Sequence, residues 1–109
     1  MADEFDALVA APAFHRLAFE DETVRVLETR IEPGQVVPPH THKWRSLNYV
    51  LSSSDFVRRD GEGNVLLDSR VAGNQLPIGS VFWSDSLPLH SLENVGDQPI
   101  HVISIEQKD

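Results

Sequence analysis

The 109-residue chain contains no cysteine. Disulfides, thiolate nucleophiles, cysteine-ligated zinc and iron–sulfur clusters are therefore excluded. Any bound metal ion has to be held by nitrogen or oxygen ligands. The absence of cysteine also agrees with a reducing compartment, and we expect a cytoplasmic protein.

Positive charge is scarce as well, since nine Lys and Arg residues stand against 17 Asp and Glu residues, for a formal net charge of −8. A chain of this charge repels the phosphates of nucleic acids and anionic membrane surfaces. No apolar run approaches the length of a membrane span, and the acidic N-terminus lacks the basic region of a secretory signal. We expect neither a nucleic-acid partner nor a membrane.

Helical periodicity is almost missing from the sequence. Residues 6–11 could form one helical turn, which Pro12 limits. The rest of the chain alternates short apolar runs with turn residues, as in Pro33-Gly34 and in the glycine-containing loop 60–64. The predicted strands are residues 14–19, 24–31, 46–52, 55–59, 65–68, 79–83, 91–94 and 100–106.

This succession of short strands predicts an all-β fold, either a β-sandwich or a β-barrel. The length is enough for one domain with a core and too short for two. We assign residues 14–109 to this single domain. Residues 1–13 are expected to form an N-terminal arm, which is either mobile or packed on a neighbouring subunit.

Two of the five histidines form the sequence His40-Thr41-His42. Residues i and i+2 of an extended strand point to the same face, so both imidazoles can meet one ion inside a barrel. Pro38-Pro39 stiffens the approach to this pair and limits the entropy lost in fixing it. The pair is therefore a candidate for metal ligation.

The surroundings of this pair resemble the first motif of the cupin superfamily. That motif looks like Gly, five residues, His–x–His, three or four residues, Glu, six residues and Gly. Here Gly34, His40 and His42 match, while Ser46 stands in place of Glu and Ser53 in place of the closing Gly.

The second half of the chain resembles the second cupin motif, which looks like Gly, five residues, Pro–x–Gly, two residues, His, three residues and Asn. Gly79, His90 and Asn94 match in the correct spacing. Asp85 and Leu87 replace the Pro and the second Gly. Two matching motifs at separate places make the resemblance specific.

The resemblance extends from residue 24 to residue 105 and implies the cupin double-stranded β-helix, a jelly-roll barrel. It implies that His40, His42 and His90 bind a divalent transition metal, with Fe, Zn, Ni, Mn and Cu left open. Similar short cupins are linked with β-alanine catabolism. Because cupins commonly dimerise, we also expect a homodimer.

Ser46 departs from the three-His, one-Glu site of many metal cupins. A serine hydroxyl is a poor ligand, so water would complete the shell and the ion would keep its full positive charge. Such a site favours anionic substrates or lowers the pKa of bound water. His15 and His101 are expected to be packing, surface or interface residues rather than ligands.

Further residues are candidates for the wall of a small-molecule pocket. Even parity places three of them on the face of the histidine pair, although tryptophans more often pack in barrels or dimer interfaces. Most Arg and Gln side chains are simply solvated. The candidates are Trp44, Ser46, Asn48, Arg58, Gln75 and Trp83.

Cupins with three His ligands resemble thiol dioxygenases and diketone-cleaving dioxygenases. The resemblance implies a metal-dependent, dioxygenase-like enzyme that acts on a small organic molecule. Two alternatives stay open: a non-catalytic small-molecule-binding or accessory cupin, and a metal-dependent isomerase or lyase. Neither the substrate nor a catalytic residue follows from the sequence.

Overall fold

The computed structural model describes residues 3–73 and 76–108. Nine strands and two helices of a single turn make up this part of the chain. Neither helix is long or apolar enough to cross a membrane. The elements are α1 (Ala7–Ala10), β1 (His15–Glu20), β2 (Val24–Ile31), β3 (Val36–His42), β4 (Ser46–Ser52), β5 (Phe56–Asp60), β6 (Val65–Asp68), α2 (Ser69–Ala72), β7 (Val81–Ser84), β8 (Leu87–Asn94) and β9 (Ile100–Gln107).

The strands form two antiparallel sheets. The five-stranded sheet has the order β1-β2-β9-β4-β7, and the four-stranded sheet has the order β3-β8-β5-β6. A cavity lies between the sheets and is lined by residues of both. The predicted all-β jelly roll is therefore confirmed, and the cavity in its interior is the candidate binding site.

Three strands, β2, β4 and β6, have the bounds that the sequence predicts, and most others differ by one or two residues. The exceptions are β3 and β8, which carry prolines. Pro38 and Pro39 lie inside β3, where they cannot donate to a ladder, and the register with β8 shifts between Val37 and His40. Since β3 is an edge strand, it tolerates both prolines and the bulge.

Residues 3–13 pack on the barrel of their own chain. Ala7 and Ala11 are buried, and Asp6 bridges to Thr41 of β3. The Asp6 carboxylate also accepts two hydrogen bonds, of 2.8 and 2.9 Å, from the Arg25 guanidinium on β2. These residues, expected as an arm, thus contribute to the domain that they precede.

Polar residues are common in the barrel interior. Among the described residues, eleven buried side chains are polar or charged and eight are apolar. A small apolar cluster of Ala11, Ile31 and Val37 packs at the side of β1, β2 and β3. Six of the eleven polar side chains line the cavity between the sheets. Because buried polar groups are costly unless they are partnered, this cavity is the candidate site.

Candidate metal centre

The cavity between the sheets has a volume of about 160 Å³. Its wall is largely apolar, with side chains such as Val50, Phe56 and Val102, and is interrupted by imidazoles, hydroxyls, an amide and a guanidinium. Pockets for drug-sized ligands are usually larger, about 300–1,000 Å³. This cavity therefore suits a small organic molecule.

Four imidazole rings meet in this cavity, from His15, His40, His42 and His90. The ring centroids of His40 lie 4.9 Å from those of His15 and His42 and 4.4 Å from that of His90. The His42 centroid lies 5.5 Å from that of His15 and 5.6 Å from that of His90. One ligand atom from each of His15, His40 and His42 lies within 4.8 Å of the other two.

Strand geometry explains how these rings come together. His40 and His42 are two residues apart on β3 and project into the same interior, as the alternation of a strand requires. His40 also pairs directly with His90 of β8 in the register of the four-stranded sheet. His15 begins β1 of the opposite sheet and reaches the cluster across the cavity.

A repeated local motif fixes the orientation of two of the rings. The Nδ1 of His40 lies 2.8 Å from the carbonyl oxygen of Pro38, and the Nδ1 of His90 lies 2.8 Å from that of Pro88. A carbonyl oxygen only accepts, so each Nδ1 donates its proton. The Nε2 atom of each ring then carries the free lone pair, which is the form that binds a metal ion.

The other two rings are held in the same way by other acceptors. The Nδ1 of His15 donates to the carbonyl oxygen of Ala11 at 3.0 Å. The Nδ1 of His42 lies 3.3 Å from a carboxylate oxygen of Glu106, which can only accept when ionised. All four rings therefore leave Nε2 as the atom available for ligation.

Burial favours the neutral form of three of these rings. It lowers the pKa of His15 to about 4, that of His40 to about 3 and that of His90 to about 4. At pH 7 these imidazoles are uncharged. Neutral imidazole is the form that transition metals require, so no proton has to be displaced on binding.

A buried carboxylate lies behind His42. Glu106 of β9 is 1% exposed and is paired with Ser46 of β4 in the sheet register. Burial alone would raise the pKa of Glu106, but hydrogen bonds from His42 and Arg25 outweigh it and lower the pKa. Position 46 thus lacks the carboxylate of the motif, while the neighbouring strand supplies one that orients the His42 ring.

Three of the pocket candidates, Ser46, Asn48 and Arg58, line the cavity together with the histidines. Asn48 accepts a hydrogen bond of 2.6 Å from the Ser104 hydroxyl, so that part of the wall is a fixed polar surface. Gln75 lies outside the described residues.

Neither of the two candidate tryptophans lies in the wall. Trp44 follows the end of β3, where the alternation of the strand no longer applies, and its ring contacts the Arg25 and Lys43 side chains. Trp83 has odd parity on β7, whose even residues face the cavity, and it is 51% exposed with Arg45 stacked on its ring. The expectation that these indoles line the pocket is therefore wrong.

The expectation that His15 lies outside the site is also wrong. No motif surrounds His15, and its place in the cluster depends on the pairing of β1 with β2, which brings Thr29 opposite it. His101 does lie elsewhere. Its Nε2 is 2.6 Å from a Glu28 carboxylate oxygen, and it does not line the cavity.

The metal-free protein is expected to lose stability as the pH falls below about 6.5. The unfolded chain takes up protons there, whereas His15, His40 and His90 stay neutral until about pH 4 because burial lowers their pKa. Since the unfolded state then binds more protons, the free energy of unfolding decreases on acidification. Urea unfolding at pH 7, 6 and 5 measures this slope. A His40→Leu, His90→Leu variant serves as control and should have a flatter profile; an unchanged slope would contradict the explanation.

No protein-family model and no curated protein matches this sequence. Several solved structures are similar. A cupin domain from Bordetella pertussis Tohama I is 21% identical, with a TM-score of 0.72 over 87% of this chain and 92% of that one. The polyketide cyclase RemF from Streptomyces resistomycificus is 17% identical, with a TM-score of 0.58 over 87% and 64%. The DMSP lyase DddQ from Ruegeria pomeroyi DSS-3 is 13% identical, with a TM-score of 0.53 over 82% and 40%.

Proposed function

From the cupin fold of this chain, which its structural neighbours establish, we propose a metal-dependent enzyme that acts on a small organic molecule. One observation carries the proposal: four imidazoles converge in one cavity, and each has its Nδ1 engaged by an oxygen acceptor and its Nε2 free. A packing histidine does not need this arrangement, whereas a metal ligand does. The cavity beside the rings leaves room for a substrate, as catalytic metal sites require.

The donor set fits a divalent transition metal. His40, His42 and His90 are the ligands that the motifs imply, and His15 adds a fourth nitrogen from the opposite sheet. Nitrogen donors suit Fe, Zn, Ni and Cu, whereas Mn prefers oxygen, so Mn becomes the least suitable ion. When bound, such an ion supplies Lewis acidity or an open position for a small molecule.

The class of reaction is decided by experiment. Protein loaded with Fe(II) is tested for O₂ uptake with panels of small thiols and diketones. Uptake supports the dioxygenase-like reading, while zinc-loaded activity without O₂ supports an isomerase or lyase. Protein that purifies without metal after growth in iron, zinc and nickel, and that fails to bind these ions afterwards, would overturn the enzyme proposal and leave a binding module.

Replacing His15 by alanine is expected to weaken Zn²⁺ binding by more than the 10- to 100-fold that is typical of an outer partner. His15 is proposed as a ligand, and its loss leaves three nitrogens. Competition with a chromogenic chelator measures the affinity. A second variant tests whether the loss of a ligand causes the weaker binding. It combines His15→Ala with Ser46→Glu, which restores the carboxylate of the cupin motif and should recover most of the Zn²⁺ affinity. Unchanged affinity in His15→Ala would remove this residue from the ligand set.

The outer face of the five-stranded sheet supports the homodimer. One apolar row crosses all five strands through register pairs, with Phe19 54% and Trp83 51% exposed at its ends. An apolar surface that spans a whole sheet is typical of an interface, and we propose a second copy of this chain as its partner. The row consists of Phe19, Val26, Ile105, Leu47 and Trp83.

Light scattering on the eluting protein is expected to give the mass of two chains. Leu47→Lys places a charge within the row, between Ile105 and Trp83, and should shift the protein towards one chain. Leu66→Lys is the matched control, because Leu66 is 56% exposed on β6 of the other sheet. A wild-type mass of one chain, or equal effects of the two variants, would contradict a dimer on this face.

A further inference from the structure

Arg58 is a guanidinium in the cavity wall that has no hydrogen-bond or ion-pair partner among the described residues. It lies on β5 and lines the cavity that holds the four histidines. Its Nε atom is buried and has no hydrogen-bond partner. None of the ion pairs formed in residues 3–73 and 76–108 includes Arg58.

This isolation is costly for the folded protein. Burial lowers the pKa of Arg58, but a guanidinium keeps its proton at neutral pH. Arg58 as a whole is half-buried, but its Nε atom is buried without a partner, and burying part of a charge without a counter-ion destabilises a fold. Arg25 in this chain has two carboxylate partners, and the neighbouring Arg59 has Glu93 at 2.9 Å. A purely structural role does not explain why Arg58 has none.

Arg58 lies close to the histidine cluster along the sheet. Its cross-strand partner on β8 is Leu92, two residues from His90, and both of these side chains line the cavity. Diagonal neighbours of this kind are about 7–8 Å apart. A molecule of a few atoms can therefore touch the guanidinium with one end and reach the Nε2 atoms with the other.

The remaining lining residues leave the charge of Arg58 uncompensated. Asp85 is the one carboxylate among the described residues of the wall, and it is exposed. His15, His40 and His90 are neutral because burial lowers the pKa of each, so their own charge does not add to or offset that of Arg58. The interior near Arg58 is thus positive, with apolar side chains such as Phe56 and Phe82 beside it.

We propose that the cavity recognises small organic acids, with the substrate carboxylate paired to the Arg58 guanidinium and its apolar part against the neighbouring wall. The approach of the other end to the histidines rests on the proposed metal-dependent function, but the pairing with Arg58 does not. A single guanidinium presents two parallel N–H groups to a carboxylate, which matches a monocarboxylate better than the many acceptors of a phosphate.

The test uses protein freed of metal with EDTA, so that a carboxylate cannot bind a metal ion instead. Straight-chain carboxylates from acetate to hexanoate and the corresponding amides are titrated by calorimetry, and the Nε–H resonance of Arg58 is followed by nuclear magnetic resonance. At least one carboxylate should bind and shift this resonance. Its amide should bind about tenfold more weakly or worse, since the charge-assisted hydrogen bonds are lost.

Matched variants connect the binding to Arg58. Arg58→Met should weaken the carboxylate by about tenfold or more, and Arg58→Lys, which keeps the charge but loses the planar fork, should weaken it less. Arg59→Met is the control and should bind as the wild type does. Circular dichroism verifies that each variant is folded.

Several results would overturn the inference. The first is that no carboxylate of the series binds. The second is that the carboxylates bind wild type and Arg58→Met with equal affinity. The third is that inorganic phosphate binds more tightly than every carboxylate. Repeating the titration after addition of Zn²⁺ separates the two proposals. Carboxylate binding that depends on Arg58 without any uptake of Zn²⁺ refutes the metal centre alone, and uptake of Zn²⁺ without carboxylate binding refutes the substrate class alone.

Discussion

Purified wild-type protein is expected to carry close to one equivalent of a divalent transition metal, and His40→Ala only a small fraction of it. His40 is the most central ring of the cluster, with centroids of three other imidazoles within 4.9 Å. Outer partners of a ligand already contribute 10- to 100-fold to metal affinity, and the loss of a central ligand should cost more. Elemental analysis of the untreated protein by mass spectrometry measures both values.

His101→Ala is the matched control for this loss. It removes a partly buried imidazole, 19% exposed, that pairs with Glu28 and does not line the cavity. Its metal content should equal that of the wild type. If His101→Ala and His40→Ala lose metal equally, the loss reflects general destabilisation rather than ligation. If both keep it, the metal lies at another place.

The residues of the site that follow from side-chain alternation within a strand, or from the spacing of a motif, could be predicted from the sequence. His40 and His42 follow from the alternation of side chains, and His90 from the spacing of the second motif. Parity also brings Ser46 and Asn48 to the cavity, because β4 keeps a regular register with β9 from Ser46 to Val50. The same parity fails for Trp44, which lies beyond the end of β3.

The parts that depend on packing between strands could not be predicted. His15 reaches the cluster only because β1 pairs at the edge of the five-stranded sheet. Nothing in the residues next to His15 indicates this pairing. Arg58 resembles any solvated arginine in the sequence, and its lack of a partner is a property of the folded barrel. Glu106 could have been found, since it continues the inward series of Val102 and Ser104 on β9.

The N-terminal segment is coupled to the candidate metal centre through buried charges. Asp6 pairs with Arg25, Arg25 pairs with Glu106, and Glu106 accepts the Nδ1 proton of His42. Burial alone would raise the pKa of Asp6, but the hydrogen bonds from Arg25 lower it. Both carboxylates are therefore ionised at pH 7, and both depend on one guanidinium, which is 8% exposed.

Arg25→Met is accordingly expected to lower the free energy of unfolding at pH 7 by about 3 kcal/mol. Removing one member of a buried ion pair costs about 3–5 kcal/mol, and the lower end applies because Asp6 keeps some contact with water. In the wild type, the lowered pKa values of the two carboxylates stabilise the folded state. This stabilisation is fully present at pH values above the pKa values that the carboxylates have in the unfolded chain. This contribution is lost as the pH falls through the folded ones. The difference between the variant and the wild type should therefore stay large down to about pH 4, near the ordinary values of 3.8 for Asp6 and 4.5 for Glu106, and shrink below it.

Urea unfolding of both proteins at pH 7, pH 4 and pH 3 measures this difference. Arg16→Met is the control, since Arg16 forms an exposed ion pair with Glu28 and its loss should change little. Glu106→Gln separates stability from metal binding: Asp6 still holds Arg25, but the carboxylate behind His42 is gone, so Zn²⁺ affinity should fall about tenfold or more. If Arg25→Met and Arg16→Met lower the free energy of unfolding equally, the buried network stabilises the protein no more than an exposed ion pair does. Unchanged Zn²⁺ affinity in Glu106→Gln would show that the buried network does not affect metal binding.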